Sequence, residues 1–208
     1  MTGKFISLEG GEGSGKSTAI ATIKAWLESQ KIDYIMTREP GGTELAEQIR
    51  QLILAARDEP VDDMTELLLM FAARAQHMTQ TIRPALAQGI WVISDRFIDS
   101  SFVYQGKARG GDTEKLKVLT EWVVGNDKPD ATLLLDVPVE IGLQRVAQRK
   151  DADRLDQESS CFHEKVRQGF LAQAALEPDR IKVIDASQSL DQVNEQIINQ
   201  LNGLKSAW

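Results

Sequence analysis

The sequence predicts an α/β fold in which a parallel sheet carries helices on both faces. Five apolar, β-branched runs, at 4–9, 33–38, 90–94, 132–137 and 181–185, alternate with stretches of helical periodicity, a pattern that calls for helical crossovers between parallel strands. Between the first run and the first helical stretch lies Gly10-Gly11-Glu12-Gly13-Ser14-Gly15-Lys16-Ser17, which fits G-x-x-x-x-G-K-[ST] in the strand, loop, helix context of a phosphate-binding loop. No internal repeat, low-complexity tract or linker divides the chain, so residues 1–208 read as a single domain.

Phe5-Ile6-Ser7-Leu8 opens the first strand. The glycines after it let the backbone turn on itself so that successive N–H groups converge on phosphate oxygens, and the next helix points its positive dipole end there. Lys16 is then placed to reach the β/γ-phosphates and Ser17 a magnesium ion. Ala19, Ile20, Ile23 and Leu27 mark the stripe of the first helix, and Leu45, Ile49, Leu52 and Ile53 that of the second. The longest helical pattern runs from about Asp63 to Ile82; Pro84 breaks it or opens a new turn, and Gly89 is a C-terminal stop. Further helices are predicted near 113–124, near 139–149 and from about Ser159 to Leu176, and a last one carries Leu190, Val193, Ile197 and Leu201 on one face.

Hydrophobic residues make up 42% of the chain, enough for a sizeable core. A net charge of −7 argues against tracking along a nucleic-acid backbone, which needs a broad basic surface, but leaves room for a small phosphorylated ligand held by a few local cations. Cys161 has no intramolecular partner, and His77 and His163 lack metal-ligand spacing. With no segment of membrane-spanning length or signal-peptide form, the chain reads as soluble and cytoplasmic.

Ligands of open α/β sheets bind beyond the carboxyl ends of the strands. There the sequence places Thr37-Arg38-Glu39-Pro40-Gly41-Gly42-Thr43, Asp95-Arg96-Phe97 and Asp136. Arg38 and Arg96 could hold a second phosphate opposite the nucleotide, each by a bidentate contact, or either could be a surface ion-pair partner. Together they point to a phosphorylated acceptor. Phe71 and Arg74, three apart on the long helix, share a face. Phe71 reads as core by its apolar neighbours; a planar base stacked on it and hydrogen-bonded by Arg74 would account for both.

At these positions the chain resembles the thymidylate kinases, which phosphorylate dTMP to dTDP with ATP and magnesium. The likeness rests on Leu8-Glu9-Gly10 through Thr18, on Thr37 to Thr43, on Leu69-Met70-Phe71-Ala72-Ala73-Arg74-Ala75-Gln76-His77, on Asp95 to Gly106, and on Asp153-Arg154-Leu155-Asp156-Gln157-Glu158. It implies a P-loop nucleoside monophosphate kinase fold with a five-stranded parallel sheet, a lid at about 145–158 and a homodimer. It assigns ATP to Gly10, Gly11, Glu12, Gly13, Ser14, Gly15, Lys16, Ser17 and Thr18, and the dTMP phosphate to Arg38 and Arg96. Thymine falls to Phe71, Arg74, Ser101 and Gln105, and the deoxyribose region to Glu12 and Tyr104. Asp95 would support magnesium through water. Phe97 departs from the usual tyrosine or histidine and removes a possible polar contact. No arginine stands in the phosphate loop, so the chain resembles the subgroup whose catalytic cations lie in the lid. Arg149 and Arg154 take that role beside Lys16 and Arg96, while Arg145 and Lys150 read as a solvated basic face.

Such a transfer needs positioning and charge neutralisation. The acceptor phosphate, with a second pKa of about 6, is already largely ionised at neutral pH and needs no strong base. A GTPase switch is the alternative from another class, on the strength of Asn126-Asp127-Lys128-Pro129-Asp130, but an extra Asp interrupts its guanine signature and a strand follows it. A kinase for another nucleotide or nucleoside is the nearer alternative.

Overall fold

The computed structural model describes residues 3–55, 58–148 and 158–207. Five strands, β1 (Phe5–Glu9), β2 (Tyr34–Arg38), β3 (Trp91–Asp95), β4 (Ala131–Asp136) and β5 (Ile181–Asp185), form one sheet in the order β2-β3-β1-β4-β5. Every pairing is parallel. β1 and β4, buried along nearly their whole length, are mostly apolar because both of their faces are covered, and the buried Ser7 and Thr132 hydroxyls pair with each other at 2.7 Å; β2 and β5, at the edges, are less buried.

Helices α1 (Lys16–Ser29) and α9 (Leu190–Ala207) cover one face. Ile23 and Leu27 of α1 and Ile197 and Leu201 of α9 meet Ile6, Leu8, Ile93, Leu133 and Ile184 of the strands there. They belong to the stripes predicted for both helices, of which Leu190, at the start of α9, is instead exposed. On the other face lie α3 (Asp63–His77), α6 (Thr113–Val123) and α8 (Ser160–Leu176). Leaving β1, the chain builds β2 and β3 to one side and then crosses to β4 on the other. The phosphate-binding loop therefore sits where the strand order reverses, the usual place for a ligand in such sheets.

The long helix departs from the prediction in an informative way. A π-helical turn, Met78–Ile82, joins α3 to a short α4 (Arg83–Ala87) that has Pro84 in its first turn, so the proline opens a new helical segment after the wider turn. Gly89, at φ 78°, ends it as expected. The prediction missed the helical stretch after β3, α5 (Ile98–Ser101) and a π-helical segment Phe102–Ala108. Its residues show no simple apolar stripe because Asp99, Ser100 and Ser101 are buried polar side chains with tertiary partners. Asp99 receives Arg180 at 2.7 and 2.8 Å and Thr132 at 3.0 Å.

The second helix, α2 (Glu44–Leu54), is rotated from expectation. Ala46 and Ile53 face inward, whereas Leu45 and Leu52 of the predicted stripe are 49% and 53% exposed. Thr43 caps this helix, its hydroxyl accepting from Ala46 N at 3.2 Å. Among the described residues, no helix is long and apolar enough to cross a membrane.

Candidate active site

The phosphate loop runs from β1 into α1 with Gly10, Gly13 and Gly15 at positive φ. At Gly13 the requirement is also steric: a Cβ there would lie 2.1 Å from the carbonyl oxygen of Gly142 in α7 (Val139–Ala147), so the loop packs against that helix only as glycine. Arg145 of α7 closes the same contact by donating to the carbonyls of Gly13 at 3.4 Å and Ala186 at 3.1 Å. It is a half-buried support of the loop, not the solvated residue expected, because two backbone acceptors lie within its reach.

Lys16 Nζ lies in the mouth of the loop, donating to the carbonyls of Gly10 at 3.0 Å and Gly11 at 3.1 Å. Burial and the neighbouring Arg96 cation bring its pKa down to about 8. The loop forms one end of a cavity of about 290 Å³ that also contains Ser17, Asp95 and Arg96 in its wall.

Arg96 adopts a left-handed backbone, φ 66°, rare for a non-glycine residue and a form of strain that tertiary contacts must hold. That conformation turns its guanidinium over the loop, where it donates to Gly10 O and Ser100 Oγ, both at 3.2 Å, and to Glu12 Oε1 at 2.6 Å. Tyr104 stacks under Arg96 at 5.0 Å and gives Glu12 a second bond at 3.0 Å. Burial alone would raise the Glu12 carboxyl, but Arg96 and Lys16 outweigh it and bring it down to about 2. Beneath them Glu9 accepts Phe97 N at 2.8 Å and Ser100 Oγ at 2.6 Å, tying α5 to the loop. Burial, with Asp99 nearby, pushes the Glu9 carboxyl up to about 7.

The remaining predicted residues divide. Ser101 is buried and receives Arg74 NH2 at 3.1 Å, and Gln105 lines the cavity. Arg74 is 1% exposed, its Nε donating to Glu39 Oε2 at 2.6 Å, and Phe71 is 3% exposed beneath it at 4.7 Å. Both lie behind the wall, which Met70 and Glu66 form at this point. Phe97 packs edge-on against Phe5 at 4.8 Å, an apolar contact that suits phenylalanine. Arg38 stays outside the cavity, its side chain 55% exposed and paired with Glu47 at 2.8 Å, the surface-pair alternative. Asp136 is taken by Arg167 at 2.8 and 2.9 Å. Arg149, Lys150 and Arg154 lie outside the described residues.

Four residues not singled out as site residues complete this region. Arg50 of α2 lines the cavity and donates to Pro40 O at 3.1 Å. The signal for it was available, since it stands four after Ala46 and three before Ile53, the two inward positions of its helix. Glu39 also lines the cavity and receives Arg74. His77 meets Glu39 Oε1 at 3.0 Å through Nδ1 and Thr37 Oγ1 at 2.6 Å through Nε2. Gly42, at φ 85°, gives that ring its space, because a Cβ would lie 2.4 Å from it. Arg109, also on the wall, pairs with Glu66 at 3.2 Å. No local pattern announces these pairs, which join residues far apart in the chain.

A cavity whose wall combines a phosphate loop with Arg50, Arg96 and Arg109 suits a nucleotide donor beside an anionic acceptor. The family model for thymidylate kinase matches residues 8–197. The chain belongs to the thymidylate kinase family. It is similar to the thymidylate kinase of Marinomonas sp. (strain MWYL1), with 66% identity across all of this chain and 98% of that one. The thymidylate kinase of Alcanivorax borkumensis is 47% identical across the whole of both chains, and that of Pseudomonas entomophila is 50% identical over 98% of this chain and 97% of its own. The match to the thymidylate kinase model takes in the phosphate loop, the Arg96 segment and the Phe71–Arg74 helix alike.

Proposed function

We infer that this chain is an ATP-dependent kinase that phosphorylates dTMP to dTDP, a step toward dTTP. The observation that carries the reading is one cavity walled both by the phosphate loop with Lys16 and by Arg96, whose guanidinium lies over that loop. ATP phosphates lie along Gly10 to Thr18, and the dTMP phosphate is held by Arg96, with Arg38 and Arg50 close to its approach. Arg38 needs only to leave an exposed ion pair to reach it, a small cost in water.

Glu12 and Tyr104 meet the deoxyribose. Thymine lies at Phe71, Arg74, Ser101 and Gln105, where two buried polar atoms, Arg74 NH1 and Gln105 Oε1, have no partner among the described residues. One is a donor and the other an acceptor, which complements the C4 carbonyl and N3–H of thymine. Because Phe71 and Arg74 are buried and the cavity wall beside them includes Met70, seating the base moves the Met70 side chain aside while Glu66 stays on Gln105.

Asp95 Oδ1 is likewise buried without a partner and stands in the same wall as Ser17. These residues fit a magnesium ion, which Ser17 would hold and Asp95 would support through water. Bound there, the ion supplies charge neutralisation. The chain's own residues do the rest: Lys16 and Arg96 bring two phosphates face to face, and Glu12 and Tyr104 hold Arg96 in place. The acceptor oxygen needs no base.

A coupled ADP-release assay across monophosphates and nucleosides tests the reading. dTMP is expected to be the preferred acceptor and thymidine to give no turnover, since Arg96 is placed for an existing phosphate. Comparable rates for the two would contradict it.

Residues 1–208 form one kinase domain in this reading, with the lid at about 145–158. The phosphate loop itself carries no arginine, so Arg149 and Arg154 supply the lid's catalytic charge. Alanine at either is expected to lower kcat and kcat/KM alike by about a hundredfold. That is less than the 10³–10⁵ of a lone arginine because two share the charge. Normal kcat in both variants, with intact circular dichroism, rules the lid out.

The protein works as a cytoplasmic homodimer in this reading. Leu45 and Leu52 of α2, Met64 and Leu68 of α3, and Val118 and Trp122 of α6 are exposed apolar side chains on the helices of one face, Trp122 at 83%. A second copy of the chain covers them. Trp122→Glu is expected to shift sedimentation from dimer to monomer; an unchanged dimer places the interface elsewhere.

A further inference from the structure

Glu66 is 4% exposed and stands on the cavity wall beside Met70. Gln105 Nε2 donates to it at 3.1 Å, and Arg109 NH1 approaches both of its oxygens at 3.2 Å. A carboxylate in such an ion pair accepts hydrogen bonds and gives none. The amide of Gln105 can therefore turn only its nitrogen toward Glu66, which leaves its oxygen over. That oxygen is the buried, partnerless Oε1 of a residue that lines the cavity.

We propose that Glu66 is a positioning residue that sets the base preference of the site: by taking the nitrogen of Gln105 it reserves the amide oxygen for a pyrimidine whose N3 bears hydrogen. Thymine and uracil have an N3–H next to a C4 carbonyl, whereas cytosine has a bare N3 next to an amino group. An acceptor held opposite N3 pairs with the first kind and meets the second with two opposed lone pairs, leaving both unsatisfied. A freely turning amide could serve either. The π-helical segment Phe102–Ala108 places both partners: it sends Tyr104 toward Glu12 and the adjacent Gln105 toward Glu66. Arg109, one residue beyond the segment, fixes the carboxylate. This inference rests on the assignment of the base to Gln105.

The test compares kcat/KM for dTMP and dCMP in the wild type, Glu66→Gln, Gln105→Leu and the double variant. Glutamine at 66 both donates and accepts, so the neighbouring amide is released. The dTMP/dCMP ratio is expected to fall at least about tenfold in Glu66→Gln, mostly through KM. It falls similarly in Gln105→Leu and no further in the double variant, because both residues act through one amide. If Glu66→Gln does not fold, Glu66→Met is the second probe: with no carboxylate at that position to take the nitrogen, the amide of Gln105 is free to turn and the ratio falls again. An unchanged ratio in the folded variant, or full additivity in the double, overturns the proposal. A wild type that uses dTMP and dCMP equally overturns instead the base assignment on which it rests. A Glu66 that only anchored Arg109 would lower thermal stability and leave the ratio where it was.

Discussion

Arg96→Ala is expected to cut kcat/KM for dTMP by about 10³ while ATP affinity changes only a few-fold, as measured by steady-state kinetics and equilibrium titration. The guanidinium is aimed by its own strained backbone and makes three side-chain bonds, to Gly10, Glu12 and Ser100, before any ligand arrives. Its orientation costs nothing at the moment of reaction, and alanine removes both the charge and the fork. Lysine at the same position keeps the charge alone, so Arg96→Lys should recover part of the loss. Equal losses for dTMP and ATP would mean that the loop had collapsed, and a near-normal kcat/KM would remove Arg96 from the acceptor site.

The same substitution has a signature in acid. Glu12 has its pKa lowered from 4.5 to about 2 in the folded protein, with Arg96 the leading attraction. A carboxyl shifted down contributes stability that is present above pH 4.5 and lost as pH falls through about 2. Arg96→Ala forfeits most of that contribution. The melting temperatures of wild type and variant should therefore differ most near neutral pH and converge toward pH 2. A constant gap across that window would assign the coupling elsewhere.

The second large effect belongs to Lys16. Lys16→Met should lower kcat by about 10²–10³, the scale for removing a cation aimed at charge that develops in the transition state. Methionine keeps the length of the side chain and much of its packing, so melting temperature should hold while activity goes. The depressed pKa adds a dependence on pH. Burial and Arg96 bring Lys16 to about 8 in the free enzyme, and a bound polyphosphate favours its protonated form. ATP affinity should hence weaken as pH rises above 8, by up to tenfold per unit, as the free enzyme loses the proton that binding requires. In Lys16→Met that slope should vanish; its survival would tie the titration to another group.

Much of the fold was legible because β1, β3 and β4 are central strands covered on both faces. A strand in that position is mostly apolar, with its few buried polar residues paired, and each was placed within one residue at either end. The phosphate loop was legible for a different reason: its glycines answer to local backbone geometry, which the short stretch Gly10 to Ser17 displays by itself. The stripes of α1 and α9 were clear because each buries one simple face. In α2 the same reasoning held for Ile53 and failed for Leu45 and Leu52. Leu45 and Leu52 form a good apolar stripe, yet it faces out, and periodicity reports that a face is apolar without saying what covers it.

What only the tertiary structure decided is which polar groups meet. The sequence singles out Arg38, by its place at a strand end, as a phosphate ligand and passes over Arg50. Yet the turn of α2 leaves Arg38 with Glu47 in solvent and brings Arg50 to the cavity. The helical stretch after β3 was invisible because its buried residues are Asp99, Ser100 and Ser101, stable there only through Arg180, Thr132 and Glu9. Glu66, Gln105 and Arg109 meet across 39 to 43 residues of chain. Apolar burial follows a local repeat because any apolar neighbour will do. A buried charge or amide is satisfied only by a particular partner at about 3 Å, and that partner is chosen by the packing of distant elements.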